Sequence, residues 1–372
     1  MMRAHSDAVM RMLRTCVSAF RDRDLKTPII ISAVILRLIF CFLYIGIVDS
    51  FNVPALEGAT FAEAGADGYV QIARTLYESG EYSFEKGTGP AHGRPPVQPF
   101  LMLIFGAWST HGWLYVWFAG SALISLGYLT LLYRLGASLN LPVRWSNLLM
   151  LSAGFHPYLI FISKTTTFVV AATLVLVLSV FLFFAIFRNL RVFSLLCGLA
   201  CGLGVLTHGS FLILPPVLMV AVLCRRGMKL RRRFESAILI AIACAVAVLP
   251  WTIRNYRHFH RIIPSATGAG FQYWMGDAAY FRHEFQGGTV FRERTGRDLR
   301  VARYSRTIYA DDDAVLVALA KEHMKKDKVH IAKRLAIGYF AFWAPWDRGR
   351  EKSIVSGILN YPVVFVTLFL FI

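Results

Sequence analysis

The sequence has little charge for its length, and acids are the scarcer sign. Asp, Glu, Lys and Arg make up 17% of the 372 residues, with 22 acidic residues against 40 Lys and Arg residues. Hydrophobic residues reach 56% and the mean hydropathy is +0.53, which leaves too few polar groups to cover the surface of a soluble domain. This composition excludes an ordinary soluble globular protein and predicts an all-α polytopic membrane protein.

Cysteine is missing from the two longest hydrophilic segments, residues 49–96 and 251–345. The six cysteines lie in the N-terminal arm or in apolar runs: Cys16, Cys41, Cys197, Cys201, Cys224 and Cys244. This distribution does not predict a disulfide framework. Cys197 and Cys201 are each followed by a glycine, and no His or acid is near them in sequence. The pattern therefore favours close helix packing through small residues over a metal site.

The formal net charge of +18 would suggest a nucleic-acid partner in a soluble chain. Here many of the basic residues lie between apolar runs, and no nucleic-acid-binding motif accompanies them. Anionic lipid headgroups and phosphates are therefore the expected partners, and nucleic acid is not. The sequence also lacks an internal repeat of fixed period and any low-complexity tract.

Eight apolar runs are candidate membrane-spanning helices. They cover residues 28–48, 112–133, 146–163, 166–187, 192–207, 210–224, 235–250 and 353–372. The organisation that follows is a cytoplasmic N-terminal arm (1–27), a transmembrane core (28–250) with a first outer loop (49–96), a second outer-face segment (251–345) and the start of a C-terminal transmembrane region (346–372). No clear small-residue cleavage site accompanies the first run, so we expect a retained helix rather than a signal peptide.

The basic clusters set the orientation of these runs. They precede Pro28 and occur at residues 134–144, 188–191 and 225–233, and the positive-inside tendency assigns them to the cytoplasm. Asp67, Lys164 and His208 then lie at the outer face. On this path the run from Val97 to Trp108 is too short to cross the membrane. This arrangement predicts a multi-pass protein of the cytoplasmic membrane.

Two short amphipathic helices are predicted in the outer segments. After Asp67, the spacing of Tyr69, Ile72, Ala73 and Leu76 gives one apolar stripe typical of a helix that lies on a surface. In the second segment, acids at 311–313 precede apolar residues and then a run of lysines. Acids early and bases late complement the helix dipole, which predicts a surface helix there as well.

Three motifs occur in a fixed order along the chain. The first runs from Asp67 through Tyr69, Ala73 and Gly80 to Arg94-Pro95-Pro96. The second is the glycine-rich stretch from Gly198 to Pro216, which contains Leu206-Thr207-His208. The third runs from Leu249-Pro250-Trp251 through Arg254-Asn255-Tyr256 to Asp277. Together they resemble the GT-C superfamily, the polytopic transferases that take a sugar from a polyprenyl phosphate, and in particular bacterial relatives of protein O-mannosyltransferases and of the lipid A aminoarabinose transferase.

The resemblance implies a GT-C-like helical bundle with two long outer-face segments that carry short interfacial helices. It further implies an inverting glycosyltransferase that moves a sugar from a polyprenyl-phosphate donor to an acceptor hydroxyl at the outer face, facing the periplasm or exterior. The acceptor is a glycan, a lipid or a protein. The resemblance implies that Asp67 is the catalytic base and that the donor phosphate is bound by Arg94, Lys164, His208 and Arg254. The residues expected to line the acceptor cleft are Tyr69, Asn255, Gln272 and Asp277. No cofactor is required by the motifs; members of the family differ in their use of a divalent metal, and no spacing in this chain predicts a metal site.

Each role has a plainer alternative. Asp67 is also in the position of a helix cap. Arg94 and Arg254 can anchor the chain to lipid headgroups, Lys164 can snorkel to the interface, and a neutral His208 is a weak phosphate ligand. The whole chain can also be a non-catalytic transporter or binding subunit for a lipid-linked sugar.

The chain departs from the family pattern at several positions. Gly68 follows Asp67 where many relatives have Glu, and His208 stands where they have Arg. Ser163 to Thr167 replaces a segment in which relatives carry an acid. Relatives continue through further helices, so we expect this chain to be a fragment or a short version. The sugar and the acceptor are not encoded in any motif.

Overall fold

The computed structural model describes residues 25–50, 68–106, 113–156, 159–160, 163, 168–186, 189–268, 310–329 and 331–333. Within these ranges the chain forms helices and loops, with no β-strand. The α-helices are α1 (Lys26–Ser50), α2 (Tyr69–Ser79), α3 (Val97–Ile104), α4 (Trp113–Ser138), α5 (Val143–Gly154), α6 (Val169–Ala185), α7 (Leu190–Thr207), α8 (Leu214–Leu223), α9 (Leu230–Phe259) and α10 (Ala310–Lys326). A 3₁₀ helix, Gly209–Ile213, precedes α8.

Four of these helices, α1, α4, α7 and α9, are long and apolar enough to cross a membrane. They correspond to the predicted runs at 28–48, 112–133, 192–207 and 235–250. Helices α6 and α8 are apolar but shorter. The described part of the chain is thus that of an all-α, membrane-embedded protein, as the composition predicted. The run at 353–372 lies outside the described residues.

The distribution of side chains on α9 is the one expected of a helix in lipid. Its exposed residues are large and apolar and recur every three or four positions: Ile238, Ile242, Val246 and Leu249 are 53–59% exposed. Its buried face carries smaller residues, including Ala237 and Ala243. A soluble helix would show the reverse, with the apolar stripe inside and polar residues outside.

The apolar run at 146–163, a candidate spanning helix, is not one continuous helix in the structure. Helix α5 ends at Gly154 after 12 residues, and the N–H of Phe155 donates to the carbonyl of Leu151 to close its last turn. The cause is visible in the sequence, because the His156-Pro157 dipeptide follows. Proline disfavours the helical conformation at the residue before it and cannot donate to the ladder. The run at 210–224 is similarly divided into the 3₁₀ helix and α8.

Helix α9 extends to Phe259, well beyond the predicted boundary at residue 250. Pro250 is inside this helix without ending it. Trp251, Arg254 and Asn255 therefore lie on a helix and not in a loop. Their spacing of three and four residues places them on one face of it.

The contacts divide the chain into two compact units. One comprises Met1–Ala66, Ile104–Gly204 and Ser210–Ala247, and the other comprises Asp67–Leu103, Val205–Gly209 and Val248–Ile372. Helices α7 and α9 contribute residues to both.

In the first unit, glycines allow α7 to pack closely against α9. A Cβ added at Gly198 would lie 2.8 Å from the Cβ of Ala243, and one added at Gly202 would lie 2.5 Å from the Cβ of Ala247. Both separations are too short for real carbon atoms. The predicted packing through small residues beside Cys197 and Cys201 is therefore confirmed, and both thiols are buried in this contact.

The first unit also contains a buried cation. Arg37, in α1, is 1% exposed. Its Nη1 donates to the carbonyls of Ala33 and Gly154, and its Nη2 donates to the Tyr128 hydroxyl at 2.7 Å and to the Ala153 carbonyl at 3.2 Å. Two of these acceptors are the last carbonyls of α5, which have no partner inside that helix. Arg37 thus caps the helix that ends early.

The second unit contains α2, α3 and the end of α9, and helices are observed at both positions where short amphipathic helices were predicted. In α2, Tyr69, Val70, Ile72, Ala73 and Thr75 are buried on one side. Helix α10 buries Leu316 and Leu319 and ends with basic residues. Helix α3 has eight residues, in agreement with the prediction that this run is too short to cross.

Candidate functional site

Tyr82 is the centre of the packing in the second unit. Its side chain is 9% exposed, and its hydroxyl donates to the carbonyls of Arg94 and Pro95, both at 3.1 Å. The ring meets Trp251 edge-on, with 4.8 Å between centroids. Tyr82 also packs in a small apolar cluster with Ile72 of α2. One side chain thereby joins α2, the loop after it and α9.

Arg254 binds the same loop from α9. Its Nη1 donates to the Ala91 carbonyl and to the Asn255 Oδ1, both at 2.8 Å, and its Nη2 donates to the Tyr82 carbonyl at 3.2 Å. Three of the five N–H donors of this guanidinium therefore bind groups within the protein. We call this set of contacts the Arg254 clamp.

Aromatic rings surround the guanidinium of the Arg254 clamp. Its Cζ lies 4.7 Å from the centroid of Trp251, 5.0 Å from that of Tyr82 and 5.9 Å from that of Phe259. Such contacts stabilise a cation by about 0.5–2 kcal/mol each, depending on solvent access. The arginine is therefore held rigidly in a half-buried position.

The segment after α9 folds back onto the helix. Asn255 is completely buried, and its Nδ2 donates to the Ile263 carbonyl at 2.9 Å. Trp251 Nε1 donates to the Ser265 carbonyl at 2.8 Å, and Ser265 Oγ donates to the Val205 carbonyl at 2.6 Å. This last bond ties the segment to the end of α7. Asn255 was expected to line an acceptor cleft, but the structure uses its amide to hold this turn.

Arg94 lies close to Tyr69 at the start of α2. Its Cζ is 5.8 Å from the Tyr69 ring centroid, and its Nη1 donates to the neighbouring Gly93 carbonyl at 2.9 Å. Tyr69 is 3% exposed, whereas Arg94 is half-buried. The backbone of Arg94 is fixed by the Tyr82 hydroxyl, so this cation is also built into the loop.

Gly68, the residue after Asp67, is in a backbone conformation that few other residues adopt. Its φ is 73°, a conformation that favours glycine. A Cβ at this position would lie 2.5 Å from the Phe84 ring. A glutamate at this position would have to adopt a strained backbone and displace that ring.

The environment of Tyr82 keeps its hydroxyl neutral. Burial raises the pKa of Tyr82 well above its ordinary value, and Tyr69 adds to the increase, while Arg254 and Arg94 oppose it. The burial effect exceeds the effect of the two cations. Tyr82 therefore acts as a hydrogen-bond donor to the loop and not as a phenolate.

An open cavity of about 470 Å³ lies beside the Arg254 clamp. It is lined by the loop from Gly80 to Pro90 and by Arg254 and His258 of α9. Its size is within the range of about 300–1,000 Å³ that is typical of small-molecule sites. The cavity thus offers a cation, a histidine and loop backbone to a ligand.

The structure brings some of the predicted site residues together. Arg94, Tyr69, Arg254 and Asn255 lie around Tyr82 or in contact with its neighbours. His208, half-buried, belongs to the same unit. The remaining four, Asp67, Lys164, Gln272 and Asp277, lie outside the described residues.

Tyr82 and Arg37 were missed by sequence reasoning. Tyr82 has no local signal, since its importance comes from contacts with residues 12 to 172 positions away. Arg37 did have one: an arginine inside an apolar run is costly in a membrane and marks a specific role by default.

The described residues do not supply a cluster of three or more His, Cys, Asp or Glu side chains able to bind a metal ion. Comparisons of this chain with protein-family models, with curated proteins and with solved structures found no match.

Proposed function

We propose that this chain is an inverting glycosyltransferase of the GT-C type. It would transfer a sugar from a polyprenyl-phosphate donor to an acceptor hydroxyl at the outer face of the cytoplasmic membrane. The proposal rests on the order of the three motifs in the sequence and on one structural observation, the convergence of two arginines from distant motifs.

That observation concerns Arg94 and Arg254. One belongs to the first motif and the other to the third, yet both contact Tyr82: the Arg94 carbonyl accepts from its hydroxyl, and the Arg254 guanidinium lies over its ring. The first motif begins with Asp67, directly before Gly68 and α2. The charges of both arginines also act on Tyr82, so a cation of the first motif and a cation of the third lie near one residue, where one can hold the phosphate of a lipid-linked donor and the other its sugar.

In the proposed reaction, Asp67 removes the proton from the acceptor hydroxyl as the hydroxyl oxygen attacks the anomeric carbon. The bond between that carbon and the phosphate oxygen breaks, and the electron pair leaves with the polyprenyl phosphate. Attack from the face opposite the leaving group inverts the anomeric centre. Because negative charge grows on the phosphate, a nearby cation such as Arg94 stabilises the transition state more than the ground state.

The test is transfer by the purified full chain in lipid nanodiscs, with an undecaprenyl-phosphate sugar labelled in the sugar and a cell-envelope extract as the source of acceptors. Asp67→Asn should lower the rate by about 100-fold or more, the contribution typical of a positioned base. Glu78→Gln is the matched control, because it neutralises an exposed carboxylate on α2 and should leave the rate unchanged.

Equal rates for Asp67→Asn and the unaltered chain would remove Asp67 as the base. If the unaltered chain binds the labelled donor but never releases polyprenyl phosphate, the transferase proposal is wrong. A binding or transport role for a lipid-linked sugar would then replace it.

A further inference from the structure

The cavity beside the Arg254 clamp carries charges of both signs. Arg254 lines one part of it, and Glu81, an exposed residue of the loop, lines another. These two side chains form no ion pair with each other, and neither has another ion-pair partner among the residues that the structure describes. A carboxylate and a guanidinium thus face the same space separately.

Both charged groups retain hydrogen-bonding capacity. Arg254 uses three N–H donors in the clamp, which leaves two donors free of partners within the described ranges. Glu81 Oε2 accepts from the Gly87 N–H at 2.9 Å, and a carboxylate has lone pairs for further bonds. His258 is exposed at the same cavity and can donate or accept.

The loop backbone leaves the cavity accessible. A Cβ built on Gly87 or on Gly89 would meet no atom within 4 Å, so both glycines border open space. Their φ angles of 76° and 90° are in the left-handed region. Replacement by a larger residue would be strained there and would also narrow the cavity.

The presence of both a carboxylate and a guanidinium at the cavity indicates the charge of the ligand it can bind. An anion would bind Arg254 but would be repelled by Glu81, and a cation would meet the opposite problem. A hydroxyl group is both donor and acceptor, so neighbouring hydroxyls on one ligand can accept from the guanidinium and donate to the carboxylate. The volume of about 470 Å³ far exceeds that of a single phosphate and accommodates a sugar ring.

We propose that this cavity binds an uncharged, pyranose-sized sugar unit through Glu81, Arg254 and His258. This inference rests on the proposed function in naming a sugar, and it gives Arg254 a sugar hydroxyl as its ligand in place of the donor phosphate. The sugar can belong to the acceptor or to the lipid-linked donor, since the hydroxyl chemistry is the same.

The experiment is saturation-transfer NMR on the full chain in nanodiscs, with the methyl glycosides of glucose, galactose, mannose and arabinose as probes. At least one should bind with a Kd in the millimolar range, as expected for a single ring with few charged hydrogen bonds. Glu81→Gln should weaken that binding by about tenfold, which corresponds to about 1.4 kcal/mol. Glu85→Gln, an exposed carboxylate of the same loop that does not line the cavity, is the control and should bind as the unaltered chain does.

Competition identifies the source of the sugar. If the glycoside displaces undecaprenyl-phosphate sugar, the cavity binds the donor's sugar, and if both bind together, it binds the acceptor's. The proposal is overturned if no glycoside binds at up to about 50 mM, or if Glu81→Gln leaves glycoside binding unchanged. It is also overturned if inorganic phosphate binds and Glu81→Gln tightens it, because that result defines an anion site.

The two proposals fail separately. Asp67→Asn should lower the transfer rate by about 100-fold or more while keeping glycoside binding. If glycoside binding depends on Glu81 but the chain has no transfer activity, the transferase proposal is wrong and the sugar site stands. If the chain transfers a sugar and Glu81→Gln does not change the rate, the sugar site is wrong and the transferase proposal stands.

Discussion

Replacement of Arg37 tests whether a buried cation holds the early end of α5. We consider Arg37→Met, which keeps the length of the side chain and removes its charge and donors. The guanidinium binds Gly154 and Ala153 at the end of α5 and the hydroxyl of Tyr128 in α4. Without it, two terminal helix carbonyls and one hydroxyl lose their donor in a region where water is scarce.

The size of the effect follows from two opposing terms. Three hydrogen bonds from a charged donor contribute about 1.5–3 kcal/mol each, or roughly 4.5–9 kcal/mol together. Their loss is partly offset, because a methionine in an apolar helix avoids about 3 kcal/mol of insertion cost for an arginine near the middle of a membrane. The net expectation is a loss of about 2–6 kcal/mol of folding free energy.

Thermal unfolding in detergent, followed by circular dichroism, measures this loss. Arg37→Met should lower the Tm by several degrees, and Arg37→Lys should lower it less, because an ammonium keeps the charge but cannot reach four acceptors with a planar fork. Arg231→Met, an exposed arginine on α9, controls for the change in net charge and should be neutral. An Arg37→Met chain with the Tm of the unaltered protein would refute the proposed cap.

Three further predictions use the same unfolding assay. Gly202→Ala should cost about 1–3 kcal/mol through overpacking, whereas Gly127→Ala, where a new Cβ meets one flexible leucine methyl at 3.3 Å, should cost clearly less; equal costs would contradict close packing of α7 on α9. Gly68→Ala should destabilise more than Gly87→Ala, because both have a left-handed backbone but only the first would press on an aromatic ring; a reversed order would show that the ring moves freely. Tyr82→Phe should cost about 1 kcal/mol at neutral pH. Burial raises the folded-state pKa of Tyr82, so the stability that its hydroxyl contributes is complete below the ordinary tyrosine pKa of 10.0 and is lost as the pH rises above that value. Above pH 10.0 the Tyr82→Phe variant should therefore lose less stability than the unaltered chain. An equal loss of stability in both chains at alkaline pH would contradict this prediction.

Helix existence could be predicted from the sequence, and helix ends could not. Composition and apolar runs identified α1, α4, α7 and α9, because hydrophobic length is a property of the segment alone. The His156-Pro157 dipeptide indicates a break after α5, but Pro250 does not end α9, so the presence of a proline alone does not fix a helix end. At the end of α5, Arg37 donates to the carbonyls of Gly154 and Ala153. The bond to Gly154 joins residues 117 positions apart, and no local sequence pattern contains such a contact.

The candidate site shows the same division. Arg94 and Arg254 were predicted to bind a phosphate because motifs contain them, but their common neighbour Tyr82 was not singled out, since it belongs to no motif. The bonds that Tyr82 and Arg254 make are mostly to backbone carbonyls. Carbonyls are the same at every residue, so a sequence gives no sign of which ones will be used.

The position of Trp251, Arg254 and Asn255 on one helix face changes how variants of this motif must be interpreted. Trp251 and Asn255 hold the segment at 263–265, while Arg254 holds the loop at 82–91. A substitution of Arg254 therefore releases the loop that carries Glu81 as well as removing a cation. Loss of transfer in such a variant would not by itself assign Arg254 to a phosphate or to a sugar. Substitutions at Glu81, which leave the Arg254 clamp intact, separate ligand contact from loop position.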